Sequence, residues 1–321
     1  MKLTNNKLKK TSNMNRYILL ALLAMELIVF SRLSPYFLTA KNIMSIGLNM
    51  SVLGIVAIGQ TLCILTSDFD LAVGNTAAFT GLMAAFFYQN LGVNYVISLL
   101  LALLIAILIG LVNGLLITKL KISAFITTMA TNFILGGMVV LVSRGQAIIV
   151  SGKTFGIIGK TNFTSLKIPL PMIVVIVLFG VFAWALKNTT FGRKLYCVGG
   201  NSQAARIAGI NIHRIKILTF VLSSLLSGFA GIVLASRMSA AQISVGSTYG
   251  MESIAAAVLG GTALSGGTGT MIGSFIGVLV TSILSNGLTM IGISQAWRDI
   301  ATGLLLIFAV ILQNSTENKQ H

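Results

Sequence analysis

Long apolar runs separated by short polar connections dominate the chain. A helix that crosses a bilayer needs about 20 mostly apolar residues. Runs near that length predict the following spans: Tyr17–Ser34, Ile43–Thr66, Leu71–Gln89, Tyr95–Thr118, Ala124–Ser143, Leu170–Leu186, Ile215–Ser236 and Trp297–Leu312. A glycine-interrupted stretch, Met251–Ile291, has room for two spans or two half-helices. We therefore predict an all-α polytopic integral membrane protein, one domain over residues 1–321, with about ten transmembrane helices and with broken or re-entrant segments.

Composition supports a membrane location. Hydrophobic residues make up 55% of the chain and charged residues only 9%, with a mean hydropathy of +0.94. Soluble domains carry roughly 25% charged residues, so this chain could not cover a globular surface with polar groups. The basic first run also resembles a secretory signal, but Glu26 interrupts it and no small-residue cleavage site follows. We interpret it as an uncleaved first span.

The charges are strongly unbalanced, and their distribution predicts the topology. There are 22 Lys and Arg against 6 Asp and Glu, a formal net charge of +16. No basic domain is present that could hold a nucleic acid, so we expect no nucleic-acid partner. Ten spans place both termini on one side, and that side collects 14 of the 22 basic residues. Because Lys and Arg accumulate in cytoplasmic loops, we predict these segments: 1–16 a basic cytoplasmic tail, 144–169 an outer loop, 187–216 a cytoplasmic loop and 313–321 a cytoplasmic tail.

The predicted cytoplasmic loop contains a short helix. Residues 201–208 favour helix, Asn201 or Ser202 could cap its start, and Gly209 follows where a C-terminal cap belongs. Gly199 and Gly200 are interpreted as turn glycines. Such a helix would give a cytoplasmic partner a compact, protruding surface to bind. The alternative is a solvated loop whose basic residues only fix the topology.

Two polar, glycine-containing segments interrupt the apolar pattern, at 66–75 and at 259–269. Both are expected after a span that runs from outside to inside. Broken helices at corresponding places in two halves point to a transport pathway, whereas the alternative is two plain cytoplasmic turns. The second segment has P-loop-like glycine spacing, but Gly267 replaces the required lysine, so we expect no nucleotide site. Gly269, Gly273 and Gly277 recur every four residues, which favours close helix packing.

Polar residues inside or beside the spans are candidates for a substrate path. Ionisable groups are costly in a bilayer, and only Glu26 lies well inside a predicted span. Uncharged amides suit a polar, neutral solute better, although contacts between helices are the alternative for each. The path candidates are Gln60, Asp68, Asp70, Asn75, Asn132, Glu252 and Asn286. His213 and His321 are the only histidines and no hydrolase motif occurs, so we expect neither catalytic residues nor metal ligands.

Several motifs resemble those of one transporter family. In the cytoplasmic loop they are 190–194, 198–201, 204–206 and 209–210; elsewhere they are 34–39, 254–256, 258–262, 265–267 and 286–288. Together they resemble the ribose-type sugar permeases of the branched-chain-amino-acid/ribose permease superfamily, the membrane subunits of ATP-binding cassette importers. That family usually has Gly-Gly-Ile-Asp-Leu-Ser-Val-Gly-Ser where this chain has residues 67–75. Asp68 and Asn75 depart from that pattern, which weakens an assignment to ribose itself.

The resemblance implies a permease subunit that forms the path of a monosaccharide, a ribose-like pentose or a hexose, across a bacterial plasma (inner) membrane. It implies a second permease subunit (homodimer or heterodimer), ATP-binding subunits that hold the ATP, an extracytoplasmic sugar-binding protein and surrounding lipid, with no cofactor on this chain. The residues expected to couple to the ATPase are Gly199, Gly200, Asn201, Ser202, Ala204, Ala205, Arg206 and Gly209. A bulky charged residue at Ala205 is expected to uncouple hydrolysis from uptake.

An ion-coupled secondary carrier is the alternative hypothesis, and an intramembrane enzyme is the third.

Overall fold

The computed structural model describes residues 19–163, 168–244 and 246–317, and helices dominate it. Residues 19–33 are helical and belong to α1. The other helices are α2 Ala40–Leu65, α3 Val73–Gln89, α4 Tyr95–Lys119, α5 Ala124–Ser143, α6 Ile157–Lys160, α7 Leu170–Asn188, α8 Thr190–Gly200, α9 Ser202–Ile207, α10 Ile212–Met238, α11 Tyr249–Leu259, α12 Met271–Met290 and α13 Gln295–Glu317. A 3₁₀ turn covers Thr154–Gly156. Four short strands form two antiparallel pairs, β1 Ile148–Ile149 with β4 Ala240–Ala241 and β2 Asn162–Phe163 with β3 Ile168–Pro169.

The observed helices follow the predicted spans closely. The predicted and observed limits of α5 are the same. The stretch predicted at 251–291 corresponds to two helices, α11, which begins slightly earlier at Tyr249, and α12. Six described helices are long and apolar enough to cross a membrane: α2, α4, α5, α7, α10 and α12. This confirms a helical, polytopic membrane protein, while the ten spans stay a prediction. With 11 residues, α11 is about 16 Å long, roughly half of the hydrocarbon core.

Three predicted boundaries need correction or lie outside the described residues. The segment 187–216 is not an open loop, because α7 continues to Asn188, α8 and α9 follow, and α10 begins at Ile212. The predicted tail 313–321 begins inside α13, which continues to Glu317. The predicted tail 1–16 lies outside the described residues.

The helix α2 lies at the centre of the bundle. Every residue from Met50 to Thr66 is buried, so other segments surround this part of the helix on all sides. By contrast, α4 exposes a wholly aliphatic face that includes Leu100, Leu104 and Leu108. An apolar face of this extent is stable only against lipid or another protein. The burial pattern therefore distinguishes a central helix from one at the perimeter.

Small residues allow the helices to approach closely. A β carbon on Gly231 of α10 would lie 1.9 Å from the carbonyl oxygen of Ala77 in α3, and one on Gly277 of α12 would lie 1.9 Å from that of Ala256 in α11. Only glycine fits such contacts, which are typical of helix interfaces in membranes. The packing role predicted for the glycine repeat is confirmed for Gly273 and Gly277, whereas Gly269 lies before α12.

The segments that contain α6 and α9 lie at opposite ends of α10. This helix begins at Ile212, soon after α9, and ends at Met238, directly before β4. At that second end, Ser236 Oγ accepts a hydrogen bond from Gly159 N at 2.9 Å, and β4 pairs with β1. Since 27 residues of helix measure about 40 Å, α10 separates these two segments by the thickness of a membrane.

A reciprocal amide pair joins the beginning of α2 to the end of α12. Asn42 Nδ2 donates to Asn286 Oδ1 and Asn286 Nδ2 donates to Asn42 Oδ1, each at 3.0 Å. Asn42 Nδ2 also donates to Phe37 O at 2.8 Å, and both side chains are buried. In this structure Asn286 therefore makes the helix–helix contact that was the alternative to lining a path.

We expect Asn286→Ala to lower the free energy of unfolding by about 1–3 kcal/mol, because it leaves the buried Oδ1 of Asn42 without its donor. Thermal unfolding of the detergent-purified chain measures the change. The double variant with Asn42→Ala should lose less than the sum of the two single variants, since the pair is then removed as a unit. Additive losses would show that the two amides do not interact.

Candidate functional site

The two interruptions of the apolar pattern meet the end of α8 at one place. Gly267 N, in the second interruption, donates to Leu65 O at the end of α2 at 3.0 Å. Ser67 Oγ, in the first, lies 2.7 Å from Ser265 O and 3.2 Å from Gly199 O. We call residues 65–70, 196–200 and 265–269 the junction. The prediction that both interruptions lie at the same side as the segment 187–216 is confirmed.

Gly199 lies where three backbone segments touch. A β carbon at this position would lie 1.8 Å from Leu65 O and 2.6 Å from Gly267 N. The expectation that Gly199 and Gly200 are turn glycines is wrong, since they are the last two residues of α8. At Gly199 the glycine is required by the close approach of other segments and not by a turn.

The helix α8 is amphipathic and lies across the end of the bundle. Leu195 and Val198 are buried, whereas Arg193 and Lys194 are exposed. The hydroxyl of Tyr196 donates to Gly269 O at 2.9 Å, which adds a second link between α8 and the interruption before α12. Any displacement of α8 therefore acts directly on both interruptions.

Backbone conformation explains the glycine density of the second interruption. Gly261, Gly266 and Gly267 have φ values of +83°, +85° and +72°, in the left-handed region that favours glycine. Ser67 has φ of +63° without being glycine. A non-glycine residue in this region costs of order 1–2 kcal/mol, and the hydroxyl contacts of Ser67 offset part of that cost.

Two carboxylates connect the first interruption to α10. Asp68 Oδ2 lies 2.7 Å from Lys216 Nζ. Asp70 Oδ2 accepts from Ser223 Oγ at 2.8 Å and its Oδ1 accepts from Ala72 N at 3.0 Å. Burial raises the pKa of Asp68, and the Lys216 ammonium partly offsets that rise. Asp68 and Asp70, two of the three predicted path carboxylates, therefore hold the interruption against α10.

The short helix α9 has the capping that the sequence predicts. Asn201 Oδ1 accepts from Ala204 N at 2.9 Å, so Asn201 and not Ser202 is the cap. Gly209 has φ of +78°, and Ile210 N donates to Ala205 O at 3.0 Å, which closes the C-terminal end. A capped helix of six residues is more ordered than a loop that serves topology alone.

The exposed face of α9 differs from the expected one. Ala205 is only 3% exposed and packs into the hydrophobic core with Leu195 and Val198. Ile207 is 90% exposed, beside exposed Arg206. Ala205 therefore does not lie on the exposed face of α9, which the periodicity of so short a helix could not indicate, and its role in coupling stays a prediction.

The remaining path candidates are distributed over several helices. Gln60 is fully buried in α2, and among the described residues neither atom of its amide has a hydrogen-bond partner. Asn75 Nδ2 donates to Asn132 O at 2.8 Å, which joins α3 to α5. Glu252 is half-buried in the first turn of α11. Among the seven candidates, the described hydrogen bonds join Asn75 to Asn132 alone, so they do not gather the candidates into one site.

Sequence reasoning missed four residues of this region: Ser67, Tyr196, Lys216 and Ser223. Ser67 stands in a polar segment that the sequence did single out, but its left-handed backbone has no sequence signal. Tyr196, Lys216 and Ser223 act through partners that are between 73 and 153 residues away along the chain. Nothing in their local pattern indicates those contacts.

Comparisons with known proteins give consistent matches. Residues 42–310 match the family described as branched-chain amino acid transport system / permease component. The ribose import permease protein RbsC of Bacillus subtilis (strain 168) is 40% identical over 287 residues, 89% of this chain and 88% of that protein. RbsC of Escherichia coli (strain K12) is 36% identical over 95% of both chains. The L-arabinose transport system permease protein AraH of Escherichia coli (strain K12) is 38% identical over 92% of this chain and 90% of its own. No solved structure matches the chain.

Proposed function

This chain belongs to the family of the branched-chain amino acid transport system permease component, and from that premise we propose that it is the permease subunit of an ATP-driven sugar importer. Its full-length relatives are named for two pentoses, so a monosaccharide is the proposed solute, a pentose before a hexose. The observation that carries the proposal is the junction. Through α8, it connects the capped and mostly exposed helix α9 to both interruptions of the spanning helices.

We infer that the segment with α8 and α9 faces the cytoplasm. Exposed basic residues concentrate there, among them Arg193, Lys194 and Arg206, and such residues accumulate on the cytoplasmic side. Counting α1 to α5, α7 and α10 to α13 as the ten spans places both termini in the cytoplasm. The segment 144–169, at the other end of α10, then faces the extracytoplasmic sugar-binding protein.

The partner at the cytoplasmic face is an ATP-binding subunit, one for each of two permease subunits. It holds the ATP, and α9 enters a cleft on its surface. Ile207 is the proposed anchor, since a protruding apolar side chain in a partner's pocket is a typical centre of binding energy. The capping residues Asn201 and Gly209 keep α9 rigid, and the buried Ala205 attaches it to α8.

We propose that the predicted polar residues contribute to the solute path in two ways, some by binding the solute and others by holding helices in place. The unpartnered amide of Gln60 is the strongest candidate to bind sugar hydroxyls, because a buried amide without a partner is costly. Asn75 and Asn132 join α3 to α5, and Glu252 lies in the first turn of the half-length helix α11. Asp68, Asp70 and Asn286 hold helices in position around the path. A second permease subunit, identical or related, completes it.

Reconstitution tests this function. Proteoliposomes would contain the chain with the ATP-binding and sugar-binding proteins of the same organism, and would be offered labelled ribose or arabinose. We expect uptake that requires ATP and both partners. Uptake driven by a proton or sodium gradient, with no ATP-binding subunit present, would overturn the proposal in favour of a secondary carrier. Failure to take up any monosaccharide in the complete system would also contradict it.

A further inference from the structure

We propose that Ser67 is a positioning residue whose hydroxyl exchanges its hydrogen bond between Ser265 O and Gly199 O during the transport cycle. The inference rests on the proposed function, because it assigns Ser67 to the step that passes movement of the cytoplasmic helices to the solute path. It concerns one side chain at which this chain has serine and the family pattern has glycine, so the role is specific to this chain.

The first argument is the conformation of Ser67. Its φ of +63° lies in the left-handed region, where glycine fits without strain and serine does not. Glycine would therefore suit this backbone better than serine. The presence of a serine in a strained position points to a role for its hydroxyl.

The second argument is that one donor faces two acceptors. A serine hydroxyl has a single hydrogen to donate, yet two backbone carbonyl oxygens lie within reach, Ser265 O at 2.7 Å and Gly199 O at 3.2 Å. The acceptors belong to different segments, the second interruption and the end of α8. Because 2.7 Å and 3.2 Å differ so little, a displacement of α8 toward Ser67 by less than about 1 Å would make Gly199 O the nearer acceptor and bring it into the usual range of hydrogen-bond distances.

The third argument is that the segments around the hydroxyl, which belongs to an exposed residue, are held together independently of it. A β carbon at Gly266 would lie 2.1 Å from Ser67 Oγ, so no larger residue fits beside it. Gly267 N to Leu65 O and Tyr196 to Gly269 O connect the same segments without Ser67. The junction can therefore persist when the hydroxyl is removed, which makes its role separable from folding.

The test uses Ser67→Gly, which removes the hydroxyl and retains a residue suited to the left-handed backbone. In the reconstituted complex we expect ATP hydrolysis near the unsubstituted rate, while the number of ATP molecules used per sugar rises about 5-fold or more, as for the loss of a typical coupling interaction. Ser51→Ala is the matched control, because within the described part of the chain the hydroxyl of Ser51 bonds only to Gly47 O of its own helix. The control should keep the unsubstituted ratio.

The outcomes separate the two proposals. An unchanged ATP-to-sugar ratio in Ser67→Gly, with transport intact, would overturn the role of Ser67 and leave the proposed function standing. Failure of the unsubstituted complex to transport sugar would instead overturn the proposed function. Ser67→Gly could also unfold at a lower temperature while the folded complex keeps the unsubstituted ATP-to-sugar ratio. That result would make Ser67 a structural residue and would also overturn the inference.

Discussion

A single methyl group at Gly199 is expected to abolish transport. The β carbon of an alanine there would lie 1.8 Å from Leu65 O and 2.6 Å from Gly267 N. Both are backbone atoms, so no side chain can rotate away, and the end of α8 must separate from the first or the second interruption. Overpacking of this kind costs typically 1–3 kcal/mol or more, and here it also disrupts the hydrogen bond between the two colliding groups.

The adjacent glycine provides the matched control for Gly199→Ala. A β carbon on Gly200 would have only Gly267 Cα within reach, at 4.0 Å, and the residue is exposed. Gly200→Ala should therefore leave the thermal stability close to that of the unsubstituted chain, and any loss of uptake should be smaller than in Gly199→Ala. Sugar uptake into proteoliposomes and thermal unfolding in detergent measure both variants. Equal behaviour of the two variants would contradict the three-segment contact at Gly199.

The spans could be predicted because each depends on a local property. A run of 20 mostly apolar residues between polar ends defines α5 without reference to any other part of the chain, and the caps of α9 depend on Asn201 and Gly209 alone. The division of 251–291 into two helices likewise follows from the glycines between them. Local chemistry determines these elements, and the structure agrees with the prediction.

The junction could not be predicted because its contacts join backbone atoms that are far apart in sequence. Gly199 touches residues 65 and 267, and no side-chain pattern indicates which carbonyl oxygens meet. The glycine composition of these segments suggested turns, whereas at Gly199 it reflects tertiary packing. The helix α8 was missed for a related reason. Its apolar residues alternate with exposed basic residues, and the positive charge of the segment indicated a loop.

Replacing Ile207 by aspartate is expected to prevent binding of the ATP-binding subunit. Ile207 is 90% exposed at the end of α9, while Ala205 on the same helix is buried, so Ile207 is the apolar group that α9 offers to a partner. Loss of an anchor at the centre of an interface costs about 2 kcal/mol or more, which corresponds to at least about a 30-fold weaker complex. A carboxylate in the same pocket adds the cost of removing its charge from water.

Two control variants distinguish the anchor from a general effect of charge. Ile149→Asp makes the same substitution at a position that is 72% exposed in β1, at the opposite end of α10, and should not affect the ATP-binding subunit. Ile207→Leu keeps an apolar side chain and should retain most of the affinity. Co-purification and the dissociation constant of the complex measure all three variants, with thermal unfolding to verify folding. Binding of Ile207→Asp at the unsubstituted affinity would exclude α9 as the docking element, because the carboxylate would then remain in water.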